Sequence, residues 1–145
     1  MDPDVSARER ELRSLLGEAH VIAVVGISSK PSRPSHEVAS YLQEHGYRIV
    51  PVNPNETEVL GERAYASLLD IPREIHVDVV DVFRRPEHTP DVAREAVAIG
   101  ARVLWLQEGI VNEEAARIAS EGDLEVIMGV CIRNVREQLM AQGGS

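Results

Sequence analysis

The sequence predicts an α/β fold: a doubly wound, mainly parallel sheet with helices on both faces. Three observations predict it. Short apolar runs rich in β-branched residues recur, as in Val21-Ile22-Ala23-Val24-Val25, which ends at Gly26. Strands buried on both faces read this way. Segments of helical periodicity lie between the runs. The two kinds alternate, which calls for parallel strands joined by right-handed crossovers.

Each element has its own signal. Residues 5–16 read as a helix, with Val5, Leu12, Leu15 and Leu16 on one stripe and Gly17 as the stop. The first strand spans 21–25, and a polar loop follows from Ile27 to Arg33. The next helix starts at Pro34 or Ser35 and ends at His45, with Val38, Ala39, Tyr41 and Leu42 inward. Residues 47–52 form a second strand. Pro51 lacks an N–H, which argues that this strand end is leaving the ladder. Residues 53–75 are mixed: an Asn-Pro turn, a short edge strand near 62–64 and a helical turn at 67–69. Further strands are expected at 76–83, 102–106 and 124–128, and helices at 86–99, 112–120 and 132–140. Glu113 and Glu114 suit the start of their helix, where the dipole favours acids. One domain is expected over residues 1–142, with 143–145 as a flexible tail.

Composition removes several function classes. The chain has 145 residues with 15 basic and 24 acidic side chains, a net charge of −9. A field of that sign repels phosphate backbones and anionic lipid, so neither nucleic acid nor membrane is an expected partner. Aromatics make up 3% of the chain, too few for a base-stacking ladder. One cysteine, Cys131, excludes an internal disulfide and a cysteine-rich zinc site. The five histidines have no paired metal spacing. The polar N-terminus is no signal peptide, and a cytoplasmic location is expected.

Ligands of doubly wound sheets bind beyond the carboxyl ends of the strands. After the first strand stand Gly26, Ile27, Ser28, Ser29, Lys30, Arg33 and Ser35. The glycine permits close approach, the serines and free helix amides can donate to phosphate, and the cations add charge. Lys30 is the only lysine of the chain. After the second strand come Val52, Asn53 and Pro54; after the third long strand, Val82, Phe83, Arg84 and Arg85. Gln107 and Gly109 follow the next. Trp105 reads as core, and Cys131 as a buried, inert thiol. Asp78 and Asp81 point to opposite faces of their strand, so they form no acid pair. The dinucleotide fingerprint is incomplete. Ser28 and Pro31 stand where its second and third glycines belong, and Val52-Asn53-Pro54 offers no acid to grip a ribose.

In order and spacing, these loops resemble the small CoA-binding protein family. Its members look like free-standing versions of the CoA-binding domain of the succinyl-CoA synthetase alpha subunit. The segments that carry the resemblance are Val25 to Ser35, Ile49 to Pro54, Val82 to Pro86, Trp105 to Ile110 and Gly129 to Ile132. It implies a Rossmann-like fold and coenzyme A or an acyl-CoA as ligand. It implies phosphates on the Gly26–Lys30 loop, the nucleotide between Val52-Asn53-Pro54 and Val82-Phe83-Arg84, and the pantetheine arm near Gln107 and Gly109. No nucleophile–base pair is evident, and no histidine follows the last strand, so synthetase chemistry by this chain alone is not expected. The leading expectation is a binding module. The alternatives are the CoA-site subunit of a multi-chain acyl-CoA ligase or transferase, and an NAD(H)-type dinucleotide-sensing module. A protein partner or self-association is compatible with each.

Overall fold

The computed structural model describes residues 3–143. Gly144 and Ser145 of the expected tail lie outside them, as does the side chain of Val5. The chain runs α1 (Pro3–Glu18), β1 (Val21–Val25), α2 (Pro34–Glu44), β2 (Arg48–Val52), then a hairpin of β3 (Glu58–Val59) and β4 (Glu62–Arg63). A 3-10 turn at Leu68–Asp70 leads to β5 (Val79–Val82). A second such turn, Pro86–His88, opens into α3 (Thr89–Ala98), followed by β6 (Val103–Leu106), α4 (Glu113–Glu121), β7 (Glu125–Met128) and α5 (Ile132–Gly143).

Five strands form one parallel sheet in the order β2-β1-β5-β6-β7. The chain goes outward from β1 to β2 and returns to place β5 on the other side of β1. The strand order therefore switches between β1 and β5, where a crevice opens at the carboxyl ends. The α/β class with helices on both faces is the one the alternation predicts.

Strand parity divides the core. Ile22, Val24, Ile49, Val79, Val103, Trp105 and Ile127 face α1, α2 and α5, and meet Leu16, Leu42 and Ile132. Ala23, Val25, Val50, Val80, Val82, Leu104 and Leu106 face α3 and α4, and meet Val92, Ala96, Ala115 and Ala119. Both faces are covered, which is why the strands read as continuous apolar runs rather than alternating ones.

Four boundaries differ from the sequence reading, each for a tertiary reason. β2 continues through Pro51, which pairs with Val24. This is the edge strand, where a missing N–H is tolerated. The expected edge strand near 62–64 is half of the β3–β4 hairpin, and only Tyr65 adds a parallel bridge to Val52. β5 begins at Val79 rather than 76, because its neighbour β1 starts only at Val21 and pairs with it from Ile22 and Val79 onward; the Asp78 carboxylate accepts from the amides of His20 and Val21 at this start. α5 runs past residue 140 to Gly143, into the expected tail.

Two polar groups inside this frame have measurable consequences. The buried Tyr47 hydroxyl donates to Leu16 O and accepts from Arg136 Nε at 3.1 Å. It ties the start of β2 to α1 and α5. Tyr47→Phe strands a buried carbonyl and is expected to cost about 1–2 kcal/mol in urea unfolding, with no change in fold.

Asp81 is fully buried in β5. Burial pushes its pKa up to about 8, against the hydrogen bond from Gln107, which lowers it. Its Oδ2 has no hydrogen-bond partner. Above the ordinary carboxyl range the unfolded chain has released this proton while the folded chain still holds it. Stability therefore falls as pH rises toward 8, by on the order of 1 kcal/mol per pH unit. Asp81→Asn is expected to flatten this fall when unfolding is followed from about pH 5 to 8. Parallel profiles for the two proteins would refute the assignment.

Candidate functional site

The carboxyl edge of the sheet is built around a close approach of two loops. Gly26, directly after β1, has φ +86°, and a Cβ there would lie 2.3 Å from the carbonyl oxygen of Phe83, directly after β5. Its amide donates to Val52 O at 2.8 Å, so the ends of β1, β2 and β5 are drawn together. Only glycine fits such a position.

Three pockets meet at this point. The first, of about 340 Å³, lies between β1, β2 and α3 and is lined by Val52, Asn53, Pro54, Leu68, Arg84 and Glu95 among others. The second, of about 420 Å³, is lined by Gly26, Ser28, Lys30, Arg33, Pro34, Ser35 and Phe83. The third, of about 290 Å³, is largely apolar and is lined by Pro34, Val38, Phe83, Gln107, Glu108, Ile110 and Cys131. Phe83 lines all three, Gly26 the first two, and Pro34 the last two.

The loop from β1 to α2 is held by its own side chains. Ser28 N donates to Ser35 Oγ at 3.0 Å, and Lys30 N to Ser28 Oγ at 3.1 Å. Asn53 Nδ2 donates to Ile27 O at 2.8 Å, binding the end of β2 to this loop. Pro34 opens α2, whose first turn faces the second pocket. Lys30, Arg33, Arg84 and Arg85 make no ion pair with the described residues. Two of these cations, Lys30 and Arg33, line one pocket, and Arg84 lines the next.

The other predicted residues divide cleanly. The side chains of Ile27 and Val82 have no exposed surface and pack into opposite faces of the core. Ser29 and Gly109 line none of the three pockets. Gly109 has φ +81° in the turn closed by Ile110 N on Gln107 O, which explains the glycine conformationally. Gln107 is 3% exposed; its Nε2 donates to Asp81, and its residue lines the apolar pocket.

Trp105 is core as expected, with Nε1 donating to Val130 O at 2.9 Å. Cys131 is not fully buried; it is partly buried and lines the apolar pocket, just after the turn that the bond from Trp105 holds. Two acids escaped the sequence reading. Glu95 lines the first pocket and accepts from Leu68 N at 3.2 Å. Glu56 accepts from Ser29 N at 2.7 Å. No local signal in the sequence marks either contact, since both partners come from distant segments. No group of three or more His, Cys, Asp or Glu among the described residues is placed to hold a metal ion.

Comparison with known proteins gives these loops a context. A protein from Bacillus subtilis described as uncharacterized protein YneT is 46% identical over 123 residues, covering 85% of this chain and 90% of that protein. The alpha subunit of acetate–CoA ligase [ADP-forming] I from Pyrococcus furiosus is 34% identical over 109 residues; the match covers 69% of this chain and 23% of the subunit. The solved structure of a hypothetical protein from Pyrococcus horikoshii superposes with a TM-score of 0.87 at 39% identity, over 91% of this chain and 92% of that one. Residues 20–136 match the model of the CoA binding domain, and the chain belongs to that family.

Proposed function

We propose that this chain binds coenzyme A or an acyl-CoA along the carboxyl edge of its sheet and works as a binding module. The observation that carries the reading is the row of three joined pockets with unpaired cations in its middle. CoA has the same order of chemistry: an adenosine, a row of phosphates and a largely apolar arm ending in a thiol. The adenosine takes the first pocket, where Val52 and Leu68 offer apolar walls and Asn53 a polar one. The phosphates take the second, held by Lys30, Arg33 and the amides that begin α2. The pantetheine arm follows Phe83 into the third. There the amide oxygen of Gln107, whose nitrogen is engaged by Asp81, accepts from an amide N–H of the arm.

The family match and the likeness to an acetate–CoA ligase subunit support the same ligand class. The chain spans 23% of that subunit, so the subunit's activity is not carried over. The residues lining the pockets include no nucleophile hydrogen-bonded to a base, which supports binding without chemistry.

Calorimetric titration with CoA, ADP and NADH tests the proposal. Heat with CoA is expected; heat with NADH alone would overturn it. Lys30→Ala and Arg33→Ala are each expected to weaken CoA binding about three- to tenfold at low salt, a gap that narrows as salt screens these exposed charges. Arg102→Ala is expected to leave binding unchanged, because Arg102 pairs with Glu18 near the opposite edge of the sheet. Equal losses from all three substitutions would mean that the phosphates bind elsewhere.

A further inference from the structure

The apolar pocket at one end of the row holds a thiol beside an open acceptor. Cys131, the only cysteine of the chain, lines it and is partly buried. Gln107 lines it as well and is 3% exposed. Its nitrogen is turned to Asp81, and its oxygen has no hydrogen-bond partner among the described residues. Buried amide oxygens are ordinarily paired, so one left open beside an apolar pocket marks a place for a donor from outside the chain. The pocket therefore offers an acceptor and a thiol together, within apolar walls of Val38, Phe83 and Ile110.

The backbone that carries Cys131 is held on both sides. Before it, Val130 O accepts from Trp105 Nε1 at 2.9 Å, and Gly129 N donates to Leu106 O at 3.0 Å. After it, Cys131 O accepts from Val135 N at 3.0 Å in the first turn of α5, and the Ile132 side chain is fully buried. The thiol thus sits on a fastened junction between β7 and α5. With no second cysteine, an oxidised Cys131 cannot close a disulfide within the chain. The partner sulfur has to come from another molecule, and the arm assigned to this pocket ends in one.

We infer that Cys131 is a capture site for the thiol end of the ligand, joined to it as a mixed disulfide. The inference rests on the reading that a CoA-type ligand lies along this edge. The reagent is a disulfide of CoA. Cys131 gives up its proton, and its sulfur attacks one sulfur of that disulfide. The S–S bond of the ligand breaks, and an S–S bond to Cys131 Sγ forms. The second CoA leaves as a thiolate and takes up the proton. Cys131 is oxidised, the departing CoA is reduced, and no other oxidant is consumed. A free thiol reverses the step by the same route. Phosphate contacts at Lys30 and Arg33 and the acceptor of Gln107 hold the arm so that its sulfur meets Cys131. The chain thereby retains one CoA while its surroundings are oxidising and returns it when thiols are restored.

The test is intact-mass spectrometry of the reduced chain, freed of reductant and mixed with CoA disulfide. A gain of one CoA unit per chain is expected, lost again with dithiothreitol and absent from Cys131→Ser. Capture is expected to run at least about tenfold faster than with hydroxyethyl disulfide at equal concentration, because binding brings the two sulfurs together. Hydroxyethyl disulfide is neutral and carries no phosphate. The ratio of the two rates is therefore expected to fall about three- to tenfold in Lys30→Ala, as a phosphate contact is lost. Equal rates with the two disulfides, a ratio that Lys30→Ala leaves unmoved, or a product of two chains joined through Cys131 would overturn the inference. Absence of an adduct, while reduced CoA still gives heat with the wild-type chain, would do the same and leave the CoA reading standing. Absence of both adduct and heat would overturn both.

Discussion

The site depends on the contact between Gly26 and the backbone of Phe83. A side chain at position 26 would meet the Phe83 carbonyl at 2.3 Å, and the positive φ there excludes an easy alternative. Because the two loops touch, the crevice at the switch in strand order is narrow. It is also continuous, since Phe83 then reaches every pocket along the edge. The bond from Gly26 N to Val52 O extends the same closure to the end of β2. If the loops stood apart, the cations of one and the apolar wall of the other would face separate solvent. The register of β1 between β2 and β5 makes the contact available, and the missing Cβ makes it tolerable.

What the sequence made legible follows from what is local. The buried strands could be read because burial on both faces leaves an unbroken apolar run, and β1 begins and ends where the run does. The β1–α2 loop could be read because its glycine, serines and cations are neighbours in the chain. Pro51 misled because its cost depends on whether the strand lies at an edge, which no single segment reveals. The start of β5 misled because it is set by where the neighbouring strand β1 begins, a distant segment that pairs with it only from Val79 onward. Glu56, Glu95 and the partnership of Asp81 with Gln107 were invisible for the same reason. Each joins segments more than twenty residues apart.

The net charge of −9 describes the whole surface and says little about this edge. Several arginines are paired with acids on helices and sheet margins, as in Arg8 with Glu125, Arg94 with Asp91 and Arg117 with Glu121. Such exposed pairs contribute little to stability, but they cancel charge locally. Lys30, Arg33 and Arg84 have no such partner among the described residues and gather where the strands end. An acidic body repels extended polyanions by its summed field, while at contact distance a small phosphorylated ligand meets the local cations first.

Two acids at this edge, Asp81 and Glu56, are held in opposite conditions. Asp81 lies inside β5, where burial favours its neutral form and lets its carboxyl orient Gln107 without adding charge to the apolar pocket. Glu56 lies outside the sheet on a turn, with water on one side and the Ser29 amide on the other. Lys30 and Arg33 line the middle pocket, which shares Gly26 with the first and Pro34 with the apolar one. The edge therefore carries cations without ion-pair partners among the described residues in its middle pocket and a neutral carboxyl behind Gln107 at the apolar one.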